Sequence, residues 1–178
     1  MLLNNIRIAP KLGIVVGVAL LGLAAAGTFA GNLMQREMVN ARIEQCRAIV
    51  ETARNMALGL IKDCIKIMQE VEAPLGHVNR YLPQQPVDFS ALADELAKET
   101  AILASDPYNT DETYWRKVVA LRLRAGEASV AAAHAAMLHC GARGYIKGNR
   151  AERRLREAYF VAIVTPATKQ LRKMLADG

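Results

Sequence analysis

Between Leu12 and Gln35 the chain carries no charged side chain: LGIVVGVALLGLAAAGTFAGNLMQ. Nothing else in the sequence restricts its fate so strongly. Wound as an α-helix at about 1.5 Å per residue, the stretch is roughly 36 Å long, against a hydrocarbon core of about 30 Å. It predicts a transmembrane helix over 12–35, preceded by a tail over 1–11 that bears Arg7 and Lys11. Gly13 and Gly17, and again Gly27 and Gly31, have the G-x-x-x-G spacing that lets two membrane helices approach closely. That spacing favours a homo-oligomer. A signal peptide cleaved after Thr28-Phe29-Ala30 is the rival reading. The run exceeds a signal h-region of about 7–15 residues, which favours the anchor. Arg36, Arg42 and Arg47 follow the span as closely as Arg7 and Lys11 precede it, so charge does not orient it.

Composition points to helices. Hydrophobic residues make up 52% but aromatics only 5%, and alanine and leucine dominate. No segment alternates at period two for long enough to read as a strand, so the expected class is all-α. The net charge is +6, and from Cys140 to Gly178 nine Lys or Arg stand against three acids. A basic end suits nucleic acid, anionic lipid or a phosphorylated cofactor, and its ordinary meaning is a solvated helix face. Without interleaved aromatics or a recognition motif, nucleic acid is not an expected partner. Cys46, Cys64 and Cys140 are odd in number and lack C-x-x-C spacing, which fits neither a disulfide framework nor a zinc site. His77, His134 and His139 share no helix face at i,i+4, so no metal is expected. His134, on an alanine-rich helix, reads as packed or half-exposed.

The stretches NNIRIAPKLGIVVGVALLGL and LMQREMVNARIEQCRAIVETARNMALGL resemble the start of a bacterial methyl-accepting chemotaxis receptor. In that family a short tail and first membrane helix lead into the long first helix of a Cache-type sensor. The resemblance covers about residues 1–60 and implies a single-pass protein of the bacterial inner membrane, with an amphipathic helix over 36–72. A second membrane span, a HAMP module, a signalling hairpin and the sensor's strands do not follow, so the likeness is to a receptor's front end.

Pro74, Gly76, Pro83 and Pro86 then interrupt the helical pattern. Residues 73–87 read as a proline-rich linker between two unlike parts, with an antiparallel helical bundle over 88–178. Asp88 or Ser90 is the expected cap of a helix whose apolar face is Phe89, Leu92, Leu96 and Leu103. Thr110 is the expected cap of a long helix over about 112–139, whose alanine-rich half suits a bundle centre. Gly141 reads as its C-terminal cap. Asn149 caps the next helix, with Leu155, Ala158, Tyr159, Ala162 and Ile163 as its apolar stripe. Thr165-Pro166 reads as the start of the last helix, with Leu171, Met174 and Leu175 as its inner face.

HCGARGYIKGNRAERRLREAYFVAIVTP resembles the C-terminal helical domain of the acyl-CoA dehydrogenase family. There a glycine loop, here Gly141-Ala142-Arg143-Gly144-Tyr145, precedes a helix with an E-R-x-x-R-D-like pattern, here Glu152 to Glu157. The resemblance spans about residues 85–178. It implies that Gly141, Ala142, Arg143 and Gly144 hold part of an FAD, in an incomplete site shared with a flavoprotein partner subunit. Glycines let backbone N–H groups approach a pyrophosphate, and a φ > 0 at Gly144 would exclude a β-branched residue. Thr165 occupies the position of the family's usual catalytic glutamate and has no useful basicity near neutral pH. No catalytic residue is therefore assigned, and the flavin-enclosing domain has no counterpart. Two functions follow as expectations. One is a membrane-anchored hybrid carrying an acyl-CoA dehydrogenase-like bundle, without complete oxidoreductase activity alone. The other is a membrane-anchored chemoreceptor-like sensory module with a ligand-binding helical bundle.

Overall fold

The structure, a computed structural model, describes residues 27–41, 43–44, 47–48, 52–106, 108–164 and 166–177. Every regular element among them is helical. The chain divides into two compact units, Met1–Arg42 and Ile43–Gly178. In the first, residues 27–41 form a helix, α1, with exposed side chains. The predicted membrane span lies largely outside the described residues, at 12–26. No helix among the described residues is long and apolar enough to cross a membrane.

The second unit begins with a π-helical turn, Thr52–Ala57, that feeds α2 (Leu58–Glu70). There follow α3 (Glu72–Asn79), α4 (Pro86–Ala104), α5 (Glu112–Cys140), α6 (Arg150–Ile163) and α7 (Thr168–Asp177). Side-chain links between facing helices fix their directions. Tyr114 of α5 donates to the Leu103 carbonyl of α4, while Arg124 reaches back to Glu95, so those two helices are antiparallel. Asp63 and Glu70 of α2 meet Arg154 and Arg150 of α6, again antiparallel. Glu127 of α5 meets Arg172 of α7, and Arg116 meets the Leu175 carbonyl. The unit is an antiparallel helical bundle with α5 at its centre, packed by α2, α4, α6 and α7.

The centre belongs to α5 because its buried face is broad and built largely of small residues. Ala125, Ala128, Ala132, Ala133, Ala135 and Ala136 are all buried and let neighbours approach closely. Larger side chains come from α2, where Leu58, Leu60, Ile61, Cys64, Ile65, Ile67 and Met68 are buried. Phe89, Leu96 and Leu103 of α4 complete the core, with Leu92 half-buried as a flank.

Residues 73–87 differ from the expected linker. Pro74 sits in the first turn of α3, where its missing N–H leaves no helical bond unmade. Gln85 is the N-cap of α4, Pro86 is its first residue, and the Asp88 carboxylate accepts from the Gln85 N–H at 2.8 Å. Asp88 thus stabilises this helix start from inside it. Asp111, not Thr110, stands at the N-cap of α5. Because α2 shares one core with α4, α5 and α6, the proline-rich stretch joins two helices of the same body.

Ile61 has no exposed surface, whereas Ile102 on α4 is 70% exposed. Ile61→Ala is expected to lower the unfolding free energy by about 2–5 kcal/mol. Ile102→Ala should change it by less than about 0.5 kcal/mol. Urea unfolding monitored by circular dichroism reads both, and equal losses would contradict this core.

Candidate functional site

The glycine loop is a 3₁₀ turn, Gly141–Tyr145. Gly141 ends α5 with φ 58°, in the left-handed region that favours glycine, and its N–H donates to the Leu138 carbonyl. Gly148, with φ 89°, is the other glycine of the loop that needs this freedom. Gly144 does not have positive φ. It is buried, and a Cβ there would lie 3.1 Å from Cys140 Cβ and 3.3 Å from the Met137 carbonyl oxygen. The absent side chain at Gly144 serves close packing against α5. The four residues expected at an FAD pyrophosphate therefore do not form a concave cradle. Gly144 faces the bundle, the Gly141 N–H is engaged, and Ala142 and Arg143 point outward. The loop as folded offers one guanidinium, a poor fit to a dinucleotide's anion.

The end of α6 is organised by a residue the sequence pattern did not single out. Arg122 lies midway along α5, fully buried, and its Nη2 donates to the Val161 carbonyl at 2.6 Å. Val161 is in the last turn of α6, where carbonyls lack helical partners and carry the negative end of the helix dipole. Its neighbours are also satisfied. Val164 N–H donates to Phe160, and Thr168 Oγ1 donates to Ala162 at 3.0 Å. Three consecutive carbonyls thus end α6 on three different donors. Among the described residues no carboxylate pairs with Arg122, whose Nε is buried without a partner. Burial lowers its pKa, yet a guanidinium stays charged. Thr165 itself lies outside the described residues. Pro166 is buried in the turn, and α7 begins at Thr168, two residues later than Pro166 was expected to start it.

Around α6 the apolar stripe is also rotated. Ala151, Ala158 and Val161 are buried, while Tyr159 and Ile163, expected inside, are exposed. The Tyr159 hydroxyl lies 2.9 Å from His134 Nε2 on α5, which accounts for that histidine as a surface contact. His139 is fully buried; its Nε2 donates to the Gln84 carbonyl at 2.9 Å, and its own carbonyl accepts from Asn79 Nδ2. Among the described residues no group of His, Cys, Asp or Glu could hold a metal ion.

Two open grooves flank the C-terminal half of α4. One, of about 640 Å³, lies between α2 and α4 and is lined by Asn55, Leu58, Lys62, Ala97, Thr100 and Ala101, among others. The other, of about 350 Å³, lies between α4 and α5 over Ile102, Leu103 and Leu121, with Lys117 and Arg124 at its edge. Arg124 is held by Glu95 and Glu99, which leaves Lys117 as the available cation there. The polar side chains of the first groove are Asn55, Lys62, Thr100 and Ser105, and the Thr100 hydroxyl is already engaged with the Leu96 carbonyl.

Arg122→Ala removes the donor to Val161 and opens a void, and is expected to cost about 2–5 kcal/mol in urea unfolding. Arg122→Met keeps the volume and removes the desolvated charge, so it should cost distinctly less. Equal costs would show that the lost carbonyl partner, not volume, decides. Cys64 is buried, and burial pushes its thiol pKa from 9.0 up to about 12. The folded state therefore keeps a proton that the unfolded state releases, and stability falls as pH rises from about 9 toward 12. Relative to Cys64→Ala, the wild type should lose stability more steeply across that window; parallel pH profiles would contradict this.

Comparison with protein-family models, with curated proteins and with solved structures gives no match to this chain.

Proposed function

We propose that the chain is a non-catalytic, membrane-anchored sensory module whose helical bundle takes a small ligand beside α4. The observation that carries this reading is the shared core of α2 with α4, α5 and α6. The receptor-like segment that ends in α2 and the C-terminal half pack as one body. A hybrid joined at the proline-rich stretch would have no reason to bury Ile61 and Met68 against α4 and α5. The grooves on both sides of α4 give the signalling step a physical basis. A ligand that fills the groove between α2 and α4 binds best when α4 lies at one particular spacing from α2. Differential affinity for that spacing is what shifts the population. The anchor rests on the uncharged run from Leu12 to Gln35, the bacterial inner membrane on the chemoreceptor resemblance, and a homo-oligomer on the G-x-x-x-G spacing.

The flavoprotein-like hybrid is the second reading, favoured by exposed Arg143, which has no ion-pair partner among the described residues. In it FAD is touched only at the loop over Gly141, Ala142, Arg143 and Gly144, and a partner subunit would supply the rest.

A Cβ added at Gly59 meets nothing within 4 Å, so Gly59→Leu can fill the groove between α2 and α4 without disturbing the helix. In a thermal-shift series with amino acids and short carboxylic acids, a binding solute at about 100 times its Kd should stabilise the wild type by roughly 2.7 kcal/mol. Gly59→Leu should abolish that shift. Stoichiometric retention of FAD by the purified chain would instead favour the hybrid. Carbonate extraction should leave the full-length chain in the membrane pellet; its release intact would sink the anchor.

A further inference from the structure

One end of the bundle carries apolar tips that the core does not use. It is built from the α3–α4 connection and the α5–α6 loop, tied together by Asn79 to the His139 carbonyl and by His139 to the Gln84 carbonyl, at 3.1 and 2.9 Å. Tyr145 is 85% exposed, Tyr81 75%, Ile146 63% and Leu138 60%, all at this end. Arg143 and Lys147 bracket Tyr145-Ile146, both exposed and without an ion-pair partner among the described residues. Arg80 stacks on the Tyr81 ring, its guanidinium carbon 4.9 Å from the centroid. Acidic side chains are scarce. The sequence has none from Ala128 to Ala151, Glu70 is paired with Arg150, Asp88 is engaged by the Gln85 N–H, and Glu72 is exposed in the first turn of α3.

The loop is shaped to hold its tip outward. Left-handed glycines stand at both ends, Gly141 and Gly148, and Ile146 and Asn149 donate their N–H groups back to the Arg143 and Ile146 carbonyls. A projecting Tyr-Ile pair between two cations suits the boundary of an anionic bilayer. The aliphatic side chain reaches the acyl region, the phenol stays at headgroup level, and the long cationic stems snorkel to phosphates. A protein interface is the competing use of exposed tyrosines, but lysine is depleted there.

We propose that this end of the bundle, formed by Tyr81, Leu138, Arg143, Tyr145, Ile146 and Lys147, docks on an anionic lipid surface. The docking is independent of the uncharged N-terminal run and of any ligand beside α4.

The test places an environment-sensitive bimane label at Ile146→Cys in full-length protein that also carries Cys46→Ser. The remaining thiols, Cys64 and Cys140, are buried. A second protein carries the label at Thr110→Cys, in the connection at the opposite end. Each is mixed with nanodiscs of phosphatidylcholine alone or of an equimolar mixture with phosphatidylglycerol. The expected result is a blue shift at position 146 on the anionic discs only, reversed by salt, with none at position 110. Arg143→Gln with Lys147→Gln should weaken it by about 30-fold, roughly fivefold per cation. Because the readout is local, an inserted or a failed N-terminal anchor leaves it interpretable. No shift on either disc would overturn the proposal and turn attention to a protein partner. Equal shifts on both discs, or equal shifts at both label positions, would also overturn it.

Discussion

The bundle depends on one buried guanidinium placed at the end of a neighbouring helix. Arg122 leaves water without a carboxylate to meet it, which on its own is costly. The C-terminal carbonyls of α6 supply the compensation, since their partial negative charge and unfilled lone pairs face the same spot. The arrangement has consequences in both directions. It fixes where α6 ends relative to the middle of α5, and with Thr168 it turns the chain into α7 at a defined point. Remove the cation and the last turn of α6 is left with an unpaired carbonyl in the core; remove the helix end and the charge is stranded.

Other arginines repeat the theme at lower stakes. Arg116 donates to the Leu175 carbonyl in the last turn of α7. Arg124 holds Glu95 and Glu99 of α4 together, and Glu99 presents both carboxylate oxygens to one nitrogen. From one stretch of α5, three arginines therefore reach three different neighbours. The Arg124 and Arg172 pairs are partly exposed, and exposed pairs contribute only about 0–1 kcal/mol each. They select which helix lies where, while Ile61, Met68, Leu96 and the alanine face of α5 supply most of the free energy.

The helices were legible because their signals are local. The apolar spacing of Phe89, Leu96 and Leu103, the Asn149 cap and the Gly141 terminus all depend on residues within a turn or two of one another. The expected break over 73–87 was misread because proline in a first helical turn looks, in sequence, like proline in a linker. Whether α2 and α4 then pack together is a tertiary matter. The rotation of the α6 stripe has a similar cause, since Tyr159 and Ile163 match the helical period as well as Val161 does. Arg122 was missed although it carries a signal. It falls in register with buried Trp115, Val118, Val119 and Ala125, where an apolar residue would be expected. A cation in an apolar stripe is a reason to look for a helix end that needs it. In the glycine loop, Gly141 and Gly144 have structural uses that a phosphate-loop likeness does not anticipate, chain reversal at the first and close packing at the second.

Gly126 lies one turn beyond Arg122, and a Cβ there would come within 2.8 Å of Arg122 Nη1. The guanidinium occupies space that any other residue at 126 would claim. The two positions are therefore coupled through space. An alanine at 126 would press on the end of the Arg122 side chain, which would have to shift from its place beside the Val161 carbonyl. A change at position 126 is thereby felt at the end of α6, through a guanidinium that links the two.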